Sequence, residues 1–196
     1  LHDDYPAVWE RTARWMSFHE YLQLTLLGTA TASTSMASGT GLLDRENPKW
    51  IPEECAAARV NRHALSDIDD RPLHGLRGPY ASRWPSLAEA AWFPAIGDGA
   101  ANNLGSGALD GSRPALMVGT TGAIRIMSID PPATLPPGLW QYQLDPEHAL
   151  IGGALSEGGG VLSWLFRSLN LPDDDELQAY LAQLRPDSHG LTVLPY

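Results

Sequence analysis

The strongest constraint on this chain is the junction at residues 92–108. Residues 92–96 read as a short buried strand, Gly97-Asp98-Gly99 ends it, and residues 100–108 continue as a helix of small side chains. A strand that delivers an acid into a glycine turn at a helix start is an α/β junction, and in such folds ligands meet the chain at the carboxyl ends of strands. The flanking glycines leave room for another molecule to approach the backbone. Two roles fit the Asp98 carboxylate: general base toward a bound ligand, or cap for the following helix. One carboxylate can fill both.

Around this junction the chain changes texture. Asp3 or Asp4 can cap a helix that Pro6 opens, and Val8, Trp9, Thr12, Trp15, Met16, Leu22 and Leu26 continue it at spacings near three and four as far as Gly28. Residues 29–43, rich in Thr, Ser, Ala and Gly, read as short extended pieces, with a turn at Asp44, Asn47 and Pro48. Pro52 opens a helix to about Arg59, residues 67–79 are loop-like, and residues 80–90 hold a short helix. Beyond Gly111 strands dominate, at 115–118, 123–129, 139–144 and 149–154, the first two as a hairpin. Helices follow over 161–169 and 173–184, the second with three aspartates in its first turn, which suits the helix dipole. The expected division is 1–111 and 112–196.

Two further motifs carry chemistry. Gly119-Thr120-Thr121-Gly122 lies between two apolar strands. Its successive N–H groups and two hydroxyls can cradle phosphate oxygens, while local pattern alone favours a plain glycine-closed hairpin turn. The glycine-rich run Gly152-Gly153-Ala154-Leu155-Ser156-Glu157-Gly158-Gly159-Gly160 precedes the helix beginning near Val161. It could admit a nucleotide to a helix N-terminus or serve close helix-on-sheet packing, and it lacks the lysine of a P-loop.

Composition removes several classes. The formal net charge is −10 and Lys49 is the only lysine, which excludes a nucleic-acid surface. Nine basic residues face twelve acidic ones before Asp98, and four face eleven from it onward, so an anionic ligand must be held by local dipoles or a cation. With Cys55 alone there is neither a disulfide nor a cysteine metal site, and a packed small residue is the reading for it. Six histidines show no metal-ligand spacing, and no metal ligands are assigned. No apolar run reaches a membrane-spanning length and no signal peptide is legible, so a cytoplasmic protein without membrane contact is expected. Trp9 and Trp15 read as core rather than as a sugar-stacking platform.

Taken in order, these motifs resemble the FGGY carbohydrate kinases, α/β proteins of the ribonuclease H-like superfamily that includes actin, Hsp70 and hexokinase. Ser33-Thr34-Ser35-Met36-Ala37-Ser38-Gly39-Thr40-Gly41-Leu42-Leu43-Asp44, followed by Trp50, resembles their substrate-domain segment. Phe93-Pro94-Ala95-Ile96-Gly97-Asp98-Gly99-Ala100 resembles the segment bearing the catalytic aspartate, and Gly119-Thr120-Thr121-Gly122-Ala123-Ile124-Arg125 the second phosphate motif. His189-Gly190-Leu191-Thr192-Val193-Leu194-Pro195 resembles the stretch before a Gly-Glu-Arg motif. Gly-Asp-Gly at 97–99 and the wording of 36–41 resemble gluconate kinases more than glycerol or xylulose kinases.

The resemblance implies parts of two domains: the later part of the sugar domain over 1–111 and the first part of the ATP domain over 112–196. It implies ATP-dependent phosphorylation of a sugar or sugar-acid hydroxyl, gluconate first, with xylulose or another pentulose or polyol as the alternative acceptor. Asp98 is then the catalytic base, Gly97 and Asp98 contact the acceptor, and Gly119, Thr120, Thr121, Gly122, Gly158, Gly159 and Gly160 hold ATP and its phosphates, with Mg²⁺ offsetting their charge. The acid and the Thr-Thr hairpin should face one cleft. No first phosphate loop and no adenosine segment is legible, the first residue is not Met, and 191–196 read as an uncapped strand. The expectation is therefore a piece of a longer protein, inactive alone. A non-catalytic module or a sugar-binding regulator is the rival, and exposed sheet edges would favour a homodimer.

Overall fold

The computed structural model describes residues 2–186 and 188–191. The first part of the chain is irregular and helical. Helices α1 (Pro6–Arg11) and α2 (Phe18–Leu27) replace the single helix expected from Pro6 to Gly28. The break has a local cause: Ser17 caps α2 through a reciprocal capping box with Glu20, and the Trp15 N–H is drawn to the Ala64 carbonyl at 2.7 Å. Gly28 ends α2 at φ 83°, as a left-handed cap.

The small-residue stretch 29–43, expected as short extended pieces, is extended only in part and holds a helix. Strand β1 (Thr31–Ala32) pairs in parallel with β4 (Asp67–Ile68), and between them Ser33 caps helix α3 (Thr34–Ser38) by accepting the Met36 N–H at 2.9 Å. Strands β2 (Leu43–Asp44) and β3 (Lys49–Trp50) form a hairpin whose turn is closed by Asp44 Oδ1, which accepts the Glu46 and Asn47 N–H groups. Helix α4 (Pro52–Ala57) follows, and Ala32, Ala37, Leu43, Trp50 and the buried, free Cys55 make the first core. Helix α5 (Gly78–Arg83) and a single 3₁₀ turn over Pro85–Leu87 lead to the acidic junction.

Helix α6 (Asp98–Gly105) packs against a four-stranded antiparallel sheet of β5 (Ala115–Val118), β6 (Gly122–Ser128), β7 (Trp140–Gln143) and β8 (Ala149–Leu155), ordered β5-β6-β8-β7. These four strands fall where alternation and turns place them. Ala100 of α6 joins Met127, Leu144 and Leu150 in the second core. The face bearing Arg125, Met127, Leu150 and Tyr142 is therefore covered at one end. Leu116, Val118, Ile124 and Leu155 alternate onto the opposite, exposed face. Helices α7 (Gly159–Ser168) and α8 (Asp174–Leu181) follow, the latter capped by Asp173. Part of the segment expected as a final strand, 192–196, lies outside the described residues, as does most of the stretch likened to the approach to a Gly-Glu-Arg motif. Among the described residues no helix is long and apolar enough to cross a membrane.

Candidate active site

Residues 92–96 do not form the expected buried strand. Only Trp92 bridges to a neighbour, exchanging both backbone bonds with Leu73 at 2.9 Å, and Phe93 is 65% exposed. The segment is held by side chains of the helix beside it. Ser33 Oγ donates to the Ala95 carbonyl at 2.5 Å, and the Gly97 N–H donates to Ser35 Oγ at 3.0 Å. On its other side the same helix accepts the Gln143 N–H through Ser38 Oγ at 2.6 Å. Thr34 anchors it from behind, its N–H and hydroxyl donating to the two Asp70 oxygens at 2.8 and 2.5 Å. Short hydroxyl side chains let α3 touch both the acidic junction and the sheet.

Asp98 is the first residue of α6, and Gly97 is its N-cap, without a side-chain bond. The carboxylate is exposed and one oxygen accepts the adjacent Gly99 N–H at 2.6 Å. It does not cap the helix. It lines a cleft of about 910 Å³ between α3 and the sheet, shared with Ser35, Thr40, Arg125, Trp140 and Tyr142. Two glycines make this arrangement possible. A Cβ at Gly99 would meet the Tyr142 hydroxyl and the Arg125 guanidinium, and a Cβ at Gly152 would meet the Trp140 ring and the Ile124 carbonyl. Trp140 and Tyr142 stack at 5.4 Å between ring centroids, and Arg125 Cζ lies 5.5 Å from the Trp140 centroid. Burial pushes the Tyr142 phenol up, the Arg125 charge pulls against that shift, and the Asp98 charge adds to it.

The second motif forms the β5–β6 turn. The Gly119 N–H donates to the Thr121 carbonyl at 2.9 Å. The glycines before α7 pack directly against this turn: Gly158 and Gly160 N–H donate to the Thr120 carbonyl at 2.8 and 3.3 Å, and Gly159 N–H to the Gly119 carbonyl at 2.7 Å. A Cβ at any of the three would come within 3 Å of a neighbouring atom, and for Gly158 and Gly159 that atom is hairpin backbone. Gly119, Thr120, Gly159 and Gly160 line a pocket of about 500 Å³ with Ser163 and Arg167, whereas Gly122 and Gly158 border a separate apolar pocket. Gly152 and Gly153 belong to the middle of β8 and have no part in the helix start.

Structure thus brings Gly97 and Asp98 together in one cleft and 119–120 with 159–160 in another. Asp98 and the hairpin residues line different pockets, and no single one of these pockets holds both. Arg125 in the first and Thr121 beside the second are four residues apart on β6, about 13 Å at the strand rise. Trp140, Tyr142 and Arg167 were not singled out from the sequence, and Arg125 appeared there only as the last residue of the 119–125 motif, without a role of its own. Alternation along 122–128 places Arg125 on the face of Ala123 and Met127, a signal that becomes usable only once that face is known to meet α6.

This α/β arrangement, an acidic helix start laid on an antiparallel sheet beside a serine-rich helix, has the ribonuclease H-like fold of the FGGY-type carbohydrate kinases. The resemblance runs over the whole chain, and gluconate kinases are among the proteins it is most similar to. No protein-family model matches the sequence. The gluconokinase of Bacillus licheniformis is 26% identical over 208 aligned positions, taking in 99% of this chain and 40% of that protein. The xylulose kinase of Lactococcus lactis is 28% identical, over 100% of this chain and 40% of that protein. Among solved structures, gluconate kinase from Lactobacillus acidophilus superimposes with a TM-score of 0.87 at 26% identity, covering 100% of this chain and 41% of that one. The chain spans about 40% of the length of the curated relatives it matches.

Proposed function

We propose that this chain forms the acid-bearing cleft and a phosphate hairpin of an ATP-dependent carbohydrate kinase whose acceptor is gluconate. The observation that carries the reading is Asp98: an exposed carboxylate on a rigid helix start, in a cleft walled by aromatic rings and hydroxyls. As the acceptor oxygen bonds to the γ-phosphorus, the bond from phosphorus to the β-bridging oxygen breaks and the hydroxyl proton passes to Asp98. Positioning and charge stabilisation carry most of such a rate, and a base contributes about 10²–10⁴-fold. Gly97 backs the acceptor. Gly119, Thr120, Thr121 and Gly122, backed by Gly158, Gly159 and Gly160, take the phosphate side, so that a triphosphate laid along β6 points toward Asp98.

Among the described residues no three His, Cys, Asp or Glu side chains cluster as a metal site. Asp98 is the one carboxylate lining the cleft, so Mg²⁺ would be held chiefly by the nucleotide's own phosphates, whose charge it offsets. In this reading residues 1–111 supply most of the acceptor side and 112–196 the nucleotide side, with α6 as the seam and Arg125, Trp140 and Tyr142 of the second part completing the acceptor cleft.

In the full-length protein, Asp98→Asn should lower turnover about 10²–10⁴-fold while sugar affinity is kept. Near-normal turnover would remove Asp98 as the base. One observation favours a sugar-binding regulator instead: the N–H groups of 158–160 are already committed to the hairpin carbonyls. Calorimetric titration separates the two, since a regulator would bind gluconate and give no heat with ATP–Mg²⁺.

A further inference from the structure

We propose that Arg125 selects an acceptor that bears a carboxylate, which deepens the kinase reading above and rests on it. Arg125 is the one cation among the described residues that line the Asp98 cleft. Its place is built rather than incidental. The guanidinium lies over the Trp140 ring and against Gly99, where any side chain at 99 would displace it. Among the described residues no carboxylate is paired with it. The uncharged Tyr142 hydroxyl is its polar side-chain neighbour, and Nε and Nη1 are buried without a hydrogen-bond partner.

A half-buried positive charge with no counter-ion is costly to maintain, and the cost is offset when an anion enters beside it. The chain's net charge of −10 repels anions at long range, so an acidic acceptor must be held by local dipoles or a cation, and Arg125 is the cation in this cleft. A planar guanidinium fork matches a carboxylate in a way that an ammonium does not. Trp140, whose ring the guanidinium overlies, and Tyr142 stacked beside it line the same cleft, and they offer an apolar wall to the carbon chain of a sugar acid.

The test compares D-gluconate with the uncharged D-gluconamide and D-xylulose on the full-length protein. Wild-type protein should bind gluconate about tenfold to a hundredfold more tightly than gluconamide by calorimetry, the range a charge-assisted bond supports. Arg125→Met should raise the KM for gluconate by a similar factor with kcat and the neutral acceptors little changed, and Arg125→Lys should restore part of the loss. Equal binding of gluconate and gluconamide by the wild type overturns the proposal, and needs no variant to fold. A loss of kcat shared by all acceptors in Arg125→Met also overturns it, placing the guanidinium on the transferred phosphoryl group. If the wild type phosphorylates nothing, the kinase reading falls, while the binding comparison still decides the role of Arg125.

Discussion

Gly99 and Arg125 share one volume: a Cβ at 99 would stand 2.7 Å from Arg125 Nε and 2.6 Å from the Tyr142 hydroxyl. The atoms in the way belong to side chains rather than backbone, so Gly99→Ala should cost less stability than a clash with backbone would, while shifting Arg125 and Tyr142 from their places. Gly152→Ala meets the Ile124 carbonyl and the Trp140 ring instead, and backbone within a sheet cannot step aside. It should cost about 1–3 kcal/mol, read as a lower urea midpoint. Equal midpoints for the two variants would mean that the sheet yields where it is expected to hold.

Asn103, fully buried on α6, ties that helix to the strand carrying Arg125. Its Nδ2 donates to the Arg125 carbonyl at 3.3 Å and lies 3.5 Å from the Ala108 carbonyl. Asn103→Ala should destabilise by about 1–3 kcal/mol, because the hydrogen bonds go while the carbonyls stay buried. Asn103→Asp should be worse, since it sets a carboxylate against them. Denaturation curves matching the wild type would show the tie to be dispensable.

Thr34 is 1% exposed and gives Asp70 two hydrogen bonds. Thr34→Val keeps the shape and the N–H bond but removes the hydroxyl donor. A loss of about 1–2 kcal/mol is expected, and Asp70→Asn should not add its full cost on top of it, because both act on one network. A double-mutant cycle with no coupling would separate the two residues.

Two titrations differ in sign. The Arg71 guanidinium holds Asp69 down at about 2, so its contribution is present above the unfolded carboxylate range and fades as pH falls toward 2. Asp69→Asn should flatten that acid limb yet cost under about 1 kcal/mol at neutral pH, because Arg71 is solvent-exposed. Tyr142 is raised above 10, so the unfolded chain loses its phenolic proton first and stability falls as pH climbs past 10. Tyr142→Phe should remove this alkaline dependence. An unchanged alkaline limb would assign it to other groups.

Much of the fold was legible because its signals are local. Alternation and turn residues placed the four strands of the sheet to within about two residues, and Gly28 marked a true helix end. The helix expected through 12–17 failed because the Ser17–Glu20 capping box starts a new one and Ala64, distant in sequence, captures the Trp15 amide. Residues 33–38 were read as extended from their β-branched and small side chains, yet Ser33 caps them into a helix. Asp98 was conspicuous through its glycines. Arg125, Trp140 and Tyr142 were not, since their meaning depends on which sheet face meets α6.

Local chemistry along the chain determined where strands and turns fall, that Asp98 stands at a helix start, and that a glycine-threonine turn joins two strands. These depend on dihedral preferences and hydrogen bonds between near neighbours, which a sequence states directly. Only the tertiary structure decided that α3 clamps the acidic junction to the sheet, that Arg125 settles against Gly99, and that hairpin and acid open into separate pockets. Those outcomes depend on packing between residues up to about a hundred positions apart, such as Ser38 and Gln143, and volume and distance in space are not written in local pattern.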